Sequence, residues 1–299
     1  MMYDIDVFNS VISTNSTFTL PEKVISNINI LHNLIGVPNK NETVVRKPYR
    51  DTADNWKKKE AFKATVVTKL EGVEQIIGDI KKLMNKLTTK NYNDIFNKIV
   101  ELTDQLLDNK ADCIDQVINI LVSVSCNNKY YSDLYAKIYM SMTHKDESFV
   151  IGKQNIINDY LLELTNIITV DSTVDYDRFC DANKKNEQRR ARLLFITHLY
   201  KEKGYNTAEL INIMTILNQM ISNIQKDVHN DKQNIDIINE LTEDVNVFVG
   251  NMVDCIKTNN EFTFILDNVR EYSSCNTTEY PGISSRIRFK YMDMLDLFK

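Results

Sequence analysis

The stretch "NEQRRARLLFITHLYKEKGYNTAELINIMTILNQMISNIQKDV", residues 186–228, decides the fold. It divides into two runs of helical periodicity, 186–203 and 207–228, parted only by Gly204, Tyr205 and Asn206. Asn206-Thr207 reads as the N-cap of the second run, because an Asn side chain accepts the free N–H groups of a first turn. The same grammar recurs along the chain. Tyr92, Ile95, Phe96, Ile99, Leu102 and Leu106 follow i, i+3, i+4, i+7 spacing, as do Ile114, Val117, Ile118, Leu121 and Val122. Further runs occupy 130–142, 149–168, 234–256 and 262–272. The run at 284–298 is capped by Ser284 or Ser285 and carries an apolar stripe of Ile287, Tyr291, Met294 and Phe298. Asn91 reads as another N-cap, while Asn109 to Asp112 and Asn259-Asn260 read as loops. The count is about ten helices of roughly 12 to 20 residues each. Only 7 Gly and 4 Pro in 299 residues leave few turns for a sheet protein.

Similar helices with short connections suggest either a bundle or an α-solenoid of stacked antiparallel pairs. A HEAT-type pair takes about 40 residues, so 57–299 has room for about five or six. Residues 1–56 read as an N-terminal extension and basic linker. They hold Pro21, Pro38 and Pro48, a helix over 20–35 with Pro21 at its first turn, and the single Trp, Trp56.

Composition narrows the function. Net charge is −5, so a nucleic-acid contact must be a local patch. Five cysteines at wide spacing, with no CxxC, give neither a disulfide framework nor a zinc site. No apolar run approaches the ~20 residues of a membrane span, and "MMYDIDVF" puts acidic residues where a signal peptide wants basic ones, so a cytoplasmic protein is expected. Asn is roughly a tenth of the chain, against helix propensity, which points to an AT-rich coding genome. No phosphate-cradling glycine loop, HExxH or GxSxG occurs, and the four histidines lie far apart. An enzyme is not expected, nor a cofactor. A solenoid usually acts through its extended surface.

Three stretches taken in order carry a resemblance. They are "IKKLMNKLTTKNYNDIFNKI" (80–99), "LLFITHLYKEKGYNT" (193–207) behind the basic "NEQRRAR", and "SSRIRFKYMDMLDLF" (284–298). Tyr135-Ala136 within "YYSDLYAKIYMSM" adds a fourth point. Together they resemble the middle domain of eukaryotic translation initiation factor 4G over roughly residues 80 to 298. The resemblance implies an all-α fold, an α-solenoid of about five HEAT-like antiparallel helix pairs forming a crescent. It implies a monomeric scaffold, not an enzyme, that binds a DEAD-box RNA helicase of the initiation factor 4A type, RNA and further initiation factors. The scaffold would hold the helicase's two lobes in a half-open, active arrangement, shifting the population of states towards it. A compact version from a large DNA virus or a protist would fit the AT-rich coding.

Carried over by residue, the resemblance puts the first helicase contact on Met84, Leu87 and Tyr92 and the second on Phe289 with Arg286 and Arg288. For the two arginines and Phe289, pairing with a neighbouring repeat and burial in the core remain the alternatives. Trp56 either touches the helicase or plugs an open end of the solenoid. Lys184, Lys185, Arg189, Arg190 and Arg192 form a basic run that would contact RNA phosphates or simply be a solvated face. Met84 stands where the family has Leu, Tyr92 where it has Phe, and Thr197 where it has Gly; its long charged insertion shrinks to "DANKKNEQRRAR". Tyr205, Leu210 and Ile211 match the family's cap-binding-protein pattern, but burial of Leu210 and Ile211 is expected and the match reads as coincidence. The same domain also serves adaptors of mRNA decay, splicing and ribosome assembly.

Overall fold

The computed structural model describes residues 21–35, 72–109, 113–226, 232–276 and 278–299. Trp56 and residues 57–71, the start of the expected solenoid span, lie outside them. The chain divides into two compact units, Met1–Val67 and Thr68–Lys299. In the first, helix α1 spans Glu22–Ile35, with the Pro21 carbonyl accepting from the Val24 amide at 2.8 Å. Proline lacks the N–H that a helix start would leave unbonded, so it belongs there.

The second unit is all helix and turn among its described residues. Ten α-helices follow one another: α2 (Val73–Asn85), α3 (Tyr92–Asn109), α4 (Ile114–Asn127), α5 (Ser132–Met142), α6 (Glu147–Thr165), α7 (Tyr176–Lys201), α8 (Thr207–Gln225), α9 (Lys232–Thr258), α10 (Thr263–Ser274) and α11 (Ser285–Asp296). Principal packing partners lie at most three helices apart. Helix α2 packs on α3 and α4, α7 on α4, α5, α6 and α9, α9 on α8 and α11, and α10 on α11. This sequential packing is consistent with an α-solenoid.

The caps follow the sequence in part. Asn206 and Glu209 form a reciprocal capping box, the Asn206 side chain accepting from the Glu209 amide at 3.0 Å and Glu209 accepting from the Asn206 amide at 2.7 Å. Ser284 caps α11 by accepting from the Ile287 amide. Asn91 does other work. Its Oδ1 accepts from the Thr88 amide at 2.7 Å and its Nδ2 donates to the Lys86 carbonyl at 2.8 Å, so it pins the α2–α3 turn.

Helix α7 differs most from expectation. It begins at Tyr176, ten residues before the apolar period does, with Asp175 accepting from the Arg178 amide. It ends in a Schellman motif. The Gly204 amide donates to the Leu199 carbonyl at 2.7 Å and the Lys203 amide to that of Tyr200 at 2.9 Å. The left-handed position falls on Lys203 (φ 63°), where glycine is usual. Glycine stands one residue later because a Cβ on Gly204 would lie 2.7 Å from Met140 Sδ and 2.9 Å from the Leu199 carbonyl oxygen.

An aromatic cluster marks where α5, α6 and α7 meet. Tyr139 lies edge-on to Phe149 and to Phe195, and its hydroxyl donates to the Phe149 carbonyl at 2.9 Å. Burying each such ring is worth roughly 1.5–3 kcal/mol. Gly152 lets α6 approach this closely. A Cβ there would sit 2.7 Å from Ile118 Cγ2 and 2.8 Å from the Tyr139 hydroxyl.

The two positions predict opposite outcomes in urea denaturation. Lys203→Gly should stabilise by about 0.5–1 kcal/mol, since glycine takes positive φ without strain. Gly152→Ala, which helix propensity alone would favour, should destabilise by about 1–3 kcal/mol through overpacking.

Candidate partner interface

Of the two expected contacts, the one on the last helix has its aromatic side chain at the surface. Ile287, Tyr291 and Met294 are buried, and Tyr291 packs on Tyr272 of α10 at 5.1 Å between ring centroids. That fixes which way the opposite face points. Phe289 is 56% exposed, Met292 is exposed one turn on, and Arg286 is exposed one turn before. Phe289 is therefore not core. Arg286 lines a cleft of about 290 Å³ with Asp236, Glu240 and Glu243 of α9. Lys290 pairs with Glu243. Arg288 is half-buried; its Nε has no hydrogen-bond partner among the described residues, and its guanidinium lies 5.9 Å from the Phe289 ring centre. The helix thus offers an aromatic flanked by arginines at a capped N-terminus.

The α2–α3 turn is different, and the expected contact there is corrected. Met84 and Leu87 are 0% and 1% exposed. Leu87 turns inward directly after the helix, and the Met84 carbonyl accepts from the buried Tyr135 hydroxyl at 3.2 Å. A partner cannot touch either side chain without opening the core. Tyr92 is half-buried and stacked on Phe96 at 5.8 Å. What the turn offers outside is Lys86, Thr89 and Lys90. The turn belongs to the first helices of the unit and Phe289 to the last, so the structure does not bring the two together. Tyr205 and Leu210 are buried and Ile211 is half-buried, in keeping with a coincidental match there.

The basic run is corrected too. Arg189 is buried. Its Nε donates to Asp244 Oδ2 at 2.8 Å, its Nη1 to Asn186 Oδ1 at 2.5 Å and its Nη2 to Glu240 at 3.3 Å. Arg190 bridges Glu240 (2.5 Å) and Glu187 (2.9 Å). Arg192 holds Glu163 through two nitrogens and reaches Asp159. All three arginines are spent on neighbouring helices. Lys184 and Lys185 alone are exposed. The readable signal was position: Ala182, Asn186, Arg189, Leu193 and Ile196 share one buried stripe at three- and four-residue spacing. On α9, Asp244 likewise sits among Leu241, Val245 and Phe248.

Burial pushes the Asp244 carboxyl up to about 6 despite the attraction of Arg189. Its Oδ1 and the buried Tyr160 hydroxyl have no hydrogen-bond partner among the described residues. Burial likewise lowers His198 to about 4, leaving that imidazole neutral at pH 7. Among the described residues no group of three or more His, Cys, Asp or Glu is placed to hold a metal ion, and no helix is long and apolar enough to cross a membrane. No family model matches the chain, and no curated protein matches it.

Two outcomes follow for the buried pair. Arg189→Met should cost about 3–5 kcal/mol in urea denaturation, because it strands a buried charge, while Arg189→Met/Asp244→Leu should recover most of that loss. The second concerns acid. Between pH 4 and 6 the native carboxyl keeps a proton that the unfolded chain releases, so its contribution to stability falls as pH rises through that window. Subtracting the Asp244→Asn profile from that of wild type should leave a negative slope there, totalling about 3 kcal/mol.

Proposed function

We propose that the chain is a translation-initiation scaffold that binds a DEAD-box RNA helicase of the initiation factor 4A type, together with RNA, and favours the helicase's half-open arrangement. It acts by binding, without catalysis or cofactor, as a monomer in the cytoplasm. We group the ten helices as five consecutive pairs, α2–α3, α4–α5, α6–α7, α8–α9 and α10–α11, because the two members of each pack on one another. We read them as HEAT-like pairs stacked into a crescent, a rigid surface suited to gripping two lobes at once.

One observation carries this reading. The "SSRIRF" sequence opens the last helix with Phe289 exposed and Arg286 and Arg288 beside it, an aromatic–arginine group of the kind that dominates binding energy at interfaces. A second reading draws on the turn at Leu87. With Met84 and Leu87 in the core, the first helicase contact rests on Tyr92, Lys86 and Lys90 alone. An adaptor with the same domain in mRNA decay, splicing or ribosome assembly would carry the fold without that contact.

The deciding experiment is a pull-down and ATPase assay with a helicase of this type from the same cell, with circular dichroism on every variant. Wild type should bind and stimulate. Phe289→Ala should weaken binding at least about fivefold with helicity unchanged, since truncating an interface hot spot costs more than about 1 kcal/mol. A folded wild type that neither binds nor stimulates would sink the initiation reading and leave the adaptor.

A further inference from the structure

The turn between α4 and α5 presents Tyr130 with its side chain outward, 82% exposed, the most exposed large aromatic among the described residues. A lone exposed ring is ordinary on a surface, and what sets this one apart is its surroundings. The turn that carries it is stiff. It is a single 3-10 turn, Lys129–Tyr131, whose cap Asn128 accepts from the Tyr130 amide at 3.2 Å and donates to the Tyr135 hydroxyl at 3.1 Å. Beside the ring runs a cleft of about 330 Å³ between the end of α4 and the middle of α7. Its walls carry Lys129 and Lys184, the amides of Asn127 and Gln188, and one acid, Glu187.

These groups have a shared chemistry. A fixed, exposed ring is a stacking platform for an unpaired base. The two amides are bonded to each other, Gln188 Nε2 donating to Asn127 Oδ1 at 2.6 Å, and Asn127 Nδ2 donates to the Ser123 carbonyl, so they shape the cleft wall rather than read a base edge. Lys184 takes part in no ion pair among the described residues and is free to meet a phosphate. Glu187 is held by Arg190 at 2.9 Å and approached by Lys129 at 3.7 Å, so its charge is already balanced. Lys185, one residue on from Lys184 and about 100° round the helix, opens on other clefts instead. In a chain of net charge −5 this is a local positive site.

We infer that the Tyr130–Lys184 cleft binds one unpaired nucleotide of single-stranded RNA, stacking its base on Tyr130 and pairing its phosphate with Lys184. The inference rests on the RNA-binding part of the proposed function and moves that contact off the arginines. Duplex RNA, whose bases are already stacked, gains little from the ring.

Fluorescence anisotropy of the full chain with a labelled 12-nucleotide oligouridine, and with the same strand in a duplex, tests it. Wild type should prefer the single strand. Tyr130→Ala should weaken that binding fivefold or more, while Tyr130→Phe should keep it. Lys184→Ala should lower the slope of log Kd against log salt by about 0.7. Equal binding of single strand and duplex, an unchanged affinity in Tyr130→Ala, or no binding at all would each overturn the inference. The helicase pull-down separates this from the wider reading. Tyr130→Ala should still capture the helicase, and Phe289→Ala should still bind the oligouridine.

Discussion

Helix α7 is the constraint on which the array depends. It packs on α4, α5 and α6 before it and on α9 after it. A helix so placed must be buried on more than one side, yet it also crosses from one group of partners to the next. Its inward stripe changes character on the way. Towards the C-terminal end it is Leu193, Phe195, Ile196 and Leu199, which pack without direction. Towards the N-terminal end it is Asn186 and Arg189, which bond in direction. Apolar packing fixes how closely α7 sits against its predecessors. The Arg189–Asp244 contact fixes its register against α9, and a buried ion pair serves register better than it serves stability.

That division explains what could be read from the residues alone. Helices with an apolar period were legible, and so were caps whose partner lies three residues away, Asn206–Glu209 and Ser284–Ile287. The first ten residues of α7 were not, because "YDRFCDANKK" is mostly polar and its few apolar members, Tyr176, Phe179 and Ala182, make too short a stripe to detect. The arginines were misread for a related reason. A run of charge is normally solvated, and the partners that overturn this, Asp244 and Glu240, lie 50 residues or more along the chain. Leu87 shows the converse limit. Resemblance singled it out, but only the folded chain decides whether a leucine just past a helix end faces the core or a partner. Phe289 was left open between core and partner, and the structure puts it outside because its stripe neighbours, Ile287 and Tyr291, claim the inner face.

Seen as surfaces, the two helix groups have different resources. The last helix offers an aromatic and arginines at its capped start. The α4–α7 region offers an aromatic and lysines on a stiff turn. Arginine suits paired carboxylates on a folded partner, and lysine a single phosphate. Among the described residues Arg189, Arg190 and Arg192 are withdrawn into internal pairs, while many lysines stay exposed. An acidic chain can in this way make local contacts with an anionic ligand without coating itself in it.

The connection between α7 and α8 carries a consequence for how such a chain can change over generations. Lys153 of α6 donates to the Gly204 carbonyl and lies over the Tyr205 ring, while the Tyr205 hydroxyl donates back to the Lys153 carbonyl at 2.5 Å. Two successive loop residues are therefore matched to one residue on a neighbouring helix. Adding or deleting a single residue at 203–206 would break both ties together with the Schellman end and the capping box on either side. Surface loops ordinarily absorb length changes cheaply. This one is length-locked, so drift here must proceed by exchange of side chains, and its short span should be a ruler for aligning distant relatives.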